Sequence, residues 1–387
     1  MNSMKGRAAS IAAVATCLAS VFVASTEAHA QGLEPVVTEW IINTTGQTGY
    51  NGITANVQQV KYDASYVYVK SAGVPSYSVG PWAGNPNPLT NQNWGFKLPR
   101  VATMATSPTT SSLGQVGVMV NGAVFYNPTD AMSWNNMNIW HQNAFVSVGA
   151  GFDGCGGHPS PSGAYHNHPW PKCMFPVVPT AHSKIIGYGF DGIPVYGPYG
   201  YDAVDGSGGV DRMRTSYRKR NITTRTTLPN GTQLQPNQYG PAVSATYPLG
   251  YFVEDYEYAA GSGDLDEFNG RFAVTPDYPN GIYAYYATID AANVAEYPYF
   301  FGPRYRGVVT AGNTGTGGHI TAPASATTFC CTPCAPDITG DRVVDGADLS
   351  ALLAGWGSVG GGGDINRDGQ VGGADLTELI AAWGACN

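Results

Sequence analysis

The chain has 387 residues, enough for one large domain or two ordinary ones with a substantial core. Only 12% of the residues are charged and the formal net charge is −8, which argues against nucleic acid or an anionic membrane surface as a partner. Gly counts 51, Pro 27 and Tyr 24, a mixture poor for long helices and suited to strands and turns.

The first thirty residues read as an export signal. Lys5 and Arg7 precede an apolar stretch from Ile11 to Val23, and Ala28-His29-Ala30 supplies a small-x-small cleavage site before Gln31. That stretch is short for a bilayer and no later segment qualifies, so a secreted protein with no membrane span in the mature chain is expected. Cleavage removes Cys17 and leaves Cys155, Cys173, Cys330, Cys331, Cys334 and Cys386. An even set in an oxidising compartment points to disulfides, with Cys155–Cys173 and Cys334–Cys386 the expected pairs. The adjacent Cys330 and Cys331 have no obvious partner, and a thiolate metal site is the alternative.

The body, residues 32–308, reads as strands and turns. Tyr66-Val67-Tyr68-Val69 is a strand candidate. Val116 to Val120, then Asn121-Gly122, then Ala123 to Tyr126 is a hairpin signal, because Asn-Gly suits the positive φ angles of a two-residue turn. Asn230-Gly231 repeats the device, and Asn280-Gly281 leads into Ile282 to Tyr286. No helical period of useful length occurs, so the body is expected to be all-β.

Residues able to carry chemistry cluster in one segment, which holds His158, His166, His168 and His182. One residue separates His166 from His168, so on a strand both point to the same face and can chelate one ion such as Zn or Cu. Cys155-Gly156-Gly157-His158-Pro159 is a turn-forming run that can fold His158 back toward that pair. Asp153 and Asp191 are candidate oxygen ligands, or partners that fix an imidazole tautomer. Two other readings stand beside the metal: a hydrogen-bonded core network, and acid–base catalysis without metal. The acidic runs Glu254-Asp255-Tyr256-Glu257 and Asp264-Leu265-Asp266-Glu267 read as solvated edges. No Gly-x-Ser-x-Gly elbow, phosphate-cradling loop or dinucleotide fingerprint occurs in a strand-to-helix context.

Asp153-Gly154-Cys155-Gly156-Gly157-His158-Pro159, then Tyr165-His166-Asn167-His168, then His182 to Gly187 and Asp191 to Pro198 resemble the YHYH family. Asp264 to Glu267, Asn269-Gly270-Arg271 and Thr275 to Gly281 extend the resemblance over most of the body. Asn167 replaces the second Tyr of the naming motif, so no role for that phenol carries over. Phe268 stands where the family pattern has Cys, which bears on the partner of Cys155. The resemblance implies a site and no established reaction.

From about Val309 the chain becomes rich in Gly, Thr, Ala and Ser, and residues 309–334 read as a linker with His319 solvated in it. Beyond it a unit occurs twice. Asp337, Thr339, Asp341, Val343, Asp345 and Asp348 are followed by Leu349, Leu352, Leu353 and Trp356 at helical spacing. Asp364, Asn366, Asp368, Gln370 and Asp375 are followed by Leu376, Leu379, Ile380 and Trp383. Oxygen side chains with a backbone carbonyl at Val343 or Gln370 give the spacing by which an EF-hand-like loop wraps calcium. Residues 335–387 resemble a type I dockerin of the kind that closes with Gly-x-Cys, here Gly384-Ala385-Cys386. Arg342 stands where a turn glycine is usual in the first loop, and Gly372 occupies the ninth position of the second, where water completes the shell. The resemblance implies a small helical module with two calcium ions that docks a cohesin-like or cell-surface protein.

Two functions follow from these readings. In one the body is a binding domain displayed outside the cell through the calcium module. In the other it is a metal-dependent extracellular enzyme with His-ligated Zn or Cu, of use in polysaccharide breakdown.

Overall fold

A computed structural model describes residues 33–329, 336–339, 343–358, 363–366 and 368–385. The expected export signal, Asp341 and the expected Cys334–Cys386 pair lie outside the described residues. The fold is mainly β. Its principal strands are β1 (Val57–Tyr62), β2 (Tyr66–Ser71), β3 (Trp94–Pro99), β4 (Gln115–Met119), β5 (Val124–Tyr126), β6 (Gly157–Pro159) and β7 (Tyr165–Asn167). They continue with β8 (Ile185–Gly189), β9 (Pro194–Tyr196), β10 (Gly270–Ala273), β11 (Ile282–Tyr286) and β12 (Thr327–Phe329).

Strands β1, β2 and β3 form an antiparallel meander in which Val60, Val69 and Phe96 lie side by side, and β12 pairs with the outer edge of β1. The larger sheet has eight strands in the order β10-β11-β9-β8-β4-β5-β7-β6. Its central strands β4 and β8 are buried at every position, as expected of strands covered on both faces. One face packs on the meander through Val118, Val124, Tyr188 and Phe190. The other packs on Phe300, Phe301 and Tyr305 through Phe125, Ile186 and Tyr285.

The Asn121-Gly122 hairpin forms as expected. The Asn121 side chain accepts from the Ala123 N–H, and Gly122 has φ +80° where an added Cβ would meet Ser71 Oγ at 2.1 Å. Asn280-Gly281 leads into β11. Asn230-Gly231 sits in a short loop closed by a single Thr227–Gln233 bridge, outside the main sheets.

The large sheet is an internal duplication that sequence reading did not reveal. Hairpin β4–β5 turns at Asn121-Gly122 and hairpin β8–β9 at Asp191-Gly192, with matching backbone bonds Gly122 N–H to Met119 and Gly192 N–H to Gly189. The two hairpins meet antiparallel around the pair Val118–Tyr188, with Gly187 opposite Met119 and Gly189 opposite Gly117. Each hairpin then receives a parallel strand, β7 on β5 and β11 on β9, and each of those carries an antiparallel partner, β6 or β10. Entry to the two outer pairs is also matched. Asp153 Oδ1 accepts from the N–H groups of Cys155 and Gly157, and Asp266 Oδ1 from those of Phe268 and Gly270. The hydroxyls of Tyr165 and Tyr283 donate to Asp153 and Asp266 respectively. A pseudo-dyad therefore passes between β4 and β8.

The residues expected as linker are hydrogen-bonded into the body. Thr310 N–H donates to the Phe190 carbonyl, buried Asn313 bridges the backbone of Lys97, and β12 completes the meander. Low hydrophobicity hid this attachment because main-chain groups and the Asn313 and Gln115 amides make most of it, with only Val309 and Phe329 packing on the core. His319 is exposed, yet its backbone bridges Gly95.

At the C-terminus two helices, Gly346–Ala354 and Gly373–Ala381, follow the duplicated loops. Val344, Leu352, Ile365, Val371 and Leu379 form their shared core, with matched positions from each copy. Among the described residues no helix is long and apolar enough to cross a membrane.

Candidate metal centre

Register builds the site. In the β6–β7 pair His158 lies directly opposite His166, and His168 follows at the end of β7. The three rings are mutual neighbours, with centroids 4.4 Å (His158–His166), 5.0 Å (His166–His168) and 5.7 Å (His158–His168) apart. One nitrogen from each lies within 4.8 Å of the others, the only such His/Cys/Asp/Glu group among the described residues. The Cys155–Cys173 disulfide forms and brackets all three.

The hydrogen bonds orient the donors. His166 Nδ1–H donates to the Ala164 carbonyl at 3.0 Å, and His168 Nδ1–H to the Asn127 carbonyl at 2.6 Å. A carbonyl only accepts, so both rings keep their lone pair on Nε2, the arrangement that a carbonyl behind the ring gives to metal-binding imidazoles. His158 Nε2 is buried with no partner, and its Nδ1 lies 3.5 Å from the Asn85 side-chain amide. Tyr126 stacks on His166 with centroids 3.7 Å apart and fixes that ring from the β5 side.

Burial keeps these imidazoles neutral. It lowers His158 to about 4, helped by neighbouring His168, and lowers His168 to about 4 against the pull of the Asn127 carbonyl. His166 is pushed well below its ordinary value by burial and by the other two rings. Neutral imidazole is the form that ligates. A bound ion would be held by one ring nitrogen each of His158, His166 and His168. The donor set fits Zn or Cu: three imidazole nitrogens, one of them orphaned in a buried setting.

A cavity of about 370 Å³ opens over the triad, walled by Tyr126, Asn85, Leu113, Ser160 and Asp130. An ion held by the three imidazoles would face that space.

The other residues grouped with the triad on sequence lie elsewhere. Asp153 spends both oxygens on Gly80, Cys155, Gly157 and Tyr165, so it pins the turn before His158 and bonds no imidazole. Asp191 is fully buried in the β8–β9 turn, accepting from Tyr285 Oη–H (2.7 Å) and Gly307 N–H (2.9 Å); burial still raises it to about 6. His182 packs against Tyr196, Tyr201 and Tyr286. Sequence reasoning missed Tyr126 and the Asn127 carbonyl, whose roles come from the parallel pairing of β5 with β7.

In the C-terminal loops the last carboxylate of each copy closes its own loop. Asp348 accepts from the N–H groups of Thr339 and Asp345, and Asp375 from those of Ile365, Asn366 and Gly372. Asp364 Oδ1 is buried without a partner. Asp345 Oδ1 caps the first helix through the Ala347 N–H, while Asn366 and Asp368 bond one another.

No curated protein and no solved structure matches the chain. The family model described as YHYH protein matches residues 95–297, which hold the triad and the whole duplicated sheet, and the chain belongs to that family.

Proposed function

We propose that this is an exported metal-binding protein whose YHYH domain, residues 32–308 with the attached strand β12, holds one Zn or Cu ion at His158, His166 and His168. The observation that carries the reading is the convergence of three neutral imidazoles, two with Nδ1–H already given to carbonyls, beneath an open cavity. When bound, the ion supplies Lewis acidity to whatever occupies its free position. The chain's own part is to orient the rings through Ala164 and Asn127 and to fix His166 against Tyr126. Elemental analysis of the purified full chain tests it: about one ion per chain is expected, and none in His166→Ala with His168→Ala. A wild-type chain free of transition metal after supplementation contradicts the reading.

The cavity favours a second reading, a metal-dependent enzyme acting on an extracellular substrate such as a polysaccharide. Asp130, the carboxylate on its wall, would act as general base for a water in that space. Loss of turnover in Asp130→Asn with metal content unchanged supports it.

For the C-terminus, residues 335–387, we propose a dockerin-like module that takes two calcium ions at Asp337, Thr339, Asp341, Val343, Asp345 and Asp348 and at Asp364, Asn366, Asp368, Gln370 and Asp375. It would attach the body to a cohesin-like or cell-surface protein. Support comes from the duplicated loop-and-helix unit and the unpartnered Asp364 oxygen. A chelator added to the full chain should lower its helicity and melting temperature; no change sinks this part of the proposal.

A further inference from the structure

The pseudo-dyad places a counterpart beside every residue of the metal centre. By the matched registers His158 corresponds to Arg271, His166 to Ala284, His168 to Tyr286 and Tyr126 to Tyr196. His182, from the segment entering β8, adds an imidazole, its ring 5.0 Å from Tyr196 and 6.2 Å from Tyr286. One half thus holds a chelating triad, and the other a guanidinium, a phenol and one imidazole.

Three side-chain atoms of this second cluster are buried without a well-aligned hydrogen bond: Arg271 Nε, Tyr286 Oη and His182 Nε2, the Arg271 guanidinium lying close beside the Tyr286 hydroxyl. A buried polar atom left unsatisfied is costly, so three in one cluster mark a place where a partner from outside the chain belongs. Two further groups of these side chains are engaged within the chain. Arg271 Nη2 donates to the Tyr201 carbonyl, and His182 Nδ1–H donates to the Ser183 carbonyl at 2.8 Å. Neighbouring Asp277 is engaged by the Tyr196 hydroxyl at 2.8 Å. What remains is two donors beside a positive charge, and one imidazole lone pair. His182, Tyr201 and Asp277 are only half-buried, so the cluster reaches solvent along their edge.

A cation is disfavoured where Arg271 replaces His158. An oxygen anion that retains one proton matches the set: its charged oxygens face Arg271 Nε–H and Tyr286 O–H, and its hydroxyl donates to His182 Nε2. We propose that this counterpart of the metal centre is a binding site for a small oxyanion bearing a hydroxyl, either a hydrogenphosphate or the carboxylate of a hydroxy acid such as a sugar acid.

Calorimetric titration of the full chain at fixed ionic strength, with inorganic phosphate in one arm and galacturonate in the other, tests the site. Saturable one-to-one binding in either arm is expected and identifies the source of the anion. Tyr286→Phe, which keeps the ring and removes only the hydroxyl, should weaken binding at least tenfold with metal content unchanged, and Arg271→Gln should abolish it. Absence of saturable binding in both arms overturns the proposal, as does a Tyr286→Phe chain that binds as tightly as wild type. Should Arg271→Gln fail to fold, Tyr286→Phe decides alone.

Discussion

The two halves of the large sheet run the same backbone with different chemistry. Around Asp153 and Asp266 the same acceptors hold the same turns, and the strands that follow have equivalent registers. Yet the first half points His158 and His166 at one another, while the second points Arg271 at Ala284. Hydrogen-bonded turns and ladders fix where side chains emerge, and only the identity at a few positions decides between chelation and anion binding. The duplication is thus a frame on which about four positions of each copy differ in chemistry.

Removing the triad's donors should separate the halves most sharply. Metal content is expected to fall from about one ion to none in His166→Ala with His168→Ala, and to stay at about one in Arg271→Gln, both read by elemental analysis. A chain that loses metal on the Arg271 change would break the division of labour.

Acid should come next. His158 and His168 titrate near 4 in the fold and near 6.5 when unfolded. Between those values the unfolded chain binds more protons, so stability is full above about pH 6.5 and falls as pH drops toward 4. Urea unfolding of metal-free protein at pH 7 and pH 4.5 should show a loss on the order of a few kcal/mol, much reduced in the double triad variant. His182→Gln should remove less of it, since burial lowers that single ring only in part.

The matched anchors give a finer comparison. Asp153→Ala strands three backbone N–H groups and a phenol, and Asp266→Ala two and a phenol, so each should cost about 3 kcal/mol in chemical denaturation, Asp153→Ala the more. Only Asp153→Ala should also weaken metal binding, by about 10–100-fold, because only its turn aims a ligand. The smallest effect belongs to Tyr286→Phe without added anion. Deleting an unsatisfied hydroxyl should change stability by less than about 1 kcal/mol in thermal melts.

Much of the local architecture was legible. The β4–β5 hairpin was readable because Asn121-Gly122 is a local chemical instruction, and the shared face of His166 and His168 because strand period is two. The turn that brings His158 back was readable from its glycines. The duplication was not, since its copies share only scattered Asp, Gly and Tyr residues whose equivalence is set by pairing over long separations. His182 was misgrouped for the same reason: closeness in sequence to the triad says nothing about which half of the sheet it enters. The stretch after Val309 reads as linker because Gly and Thr look the same solvated or paired, and a single Asn313 gives little signal.

The Cys155–Cys173 bond spans a sequence separation of 18 and encloses His158, His166 and His168. All three donors therefore belong to one covalent macrocycle. Melting the surrounding sheets frees the ring without scattering its nitrogens, so an ion once seated should leave slowly even from a partly unfolded chain. A competing chelator should strip it quickly only when a thiol reductant opens the ring as well.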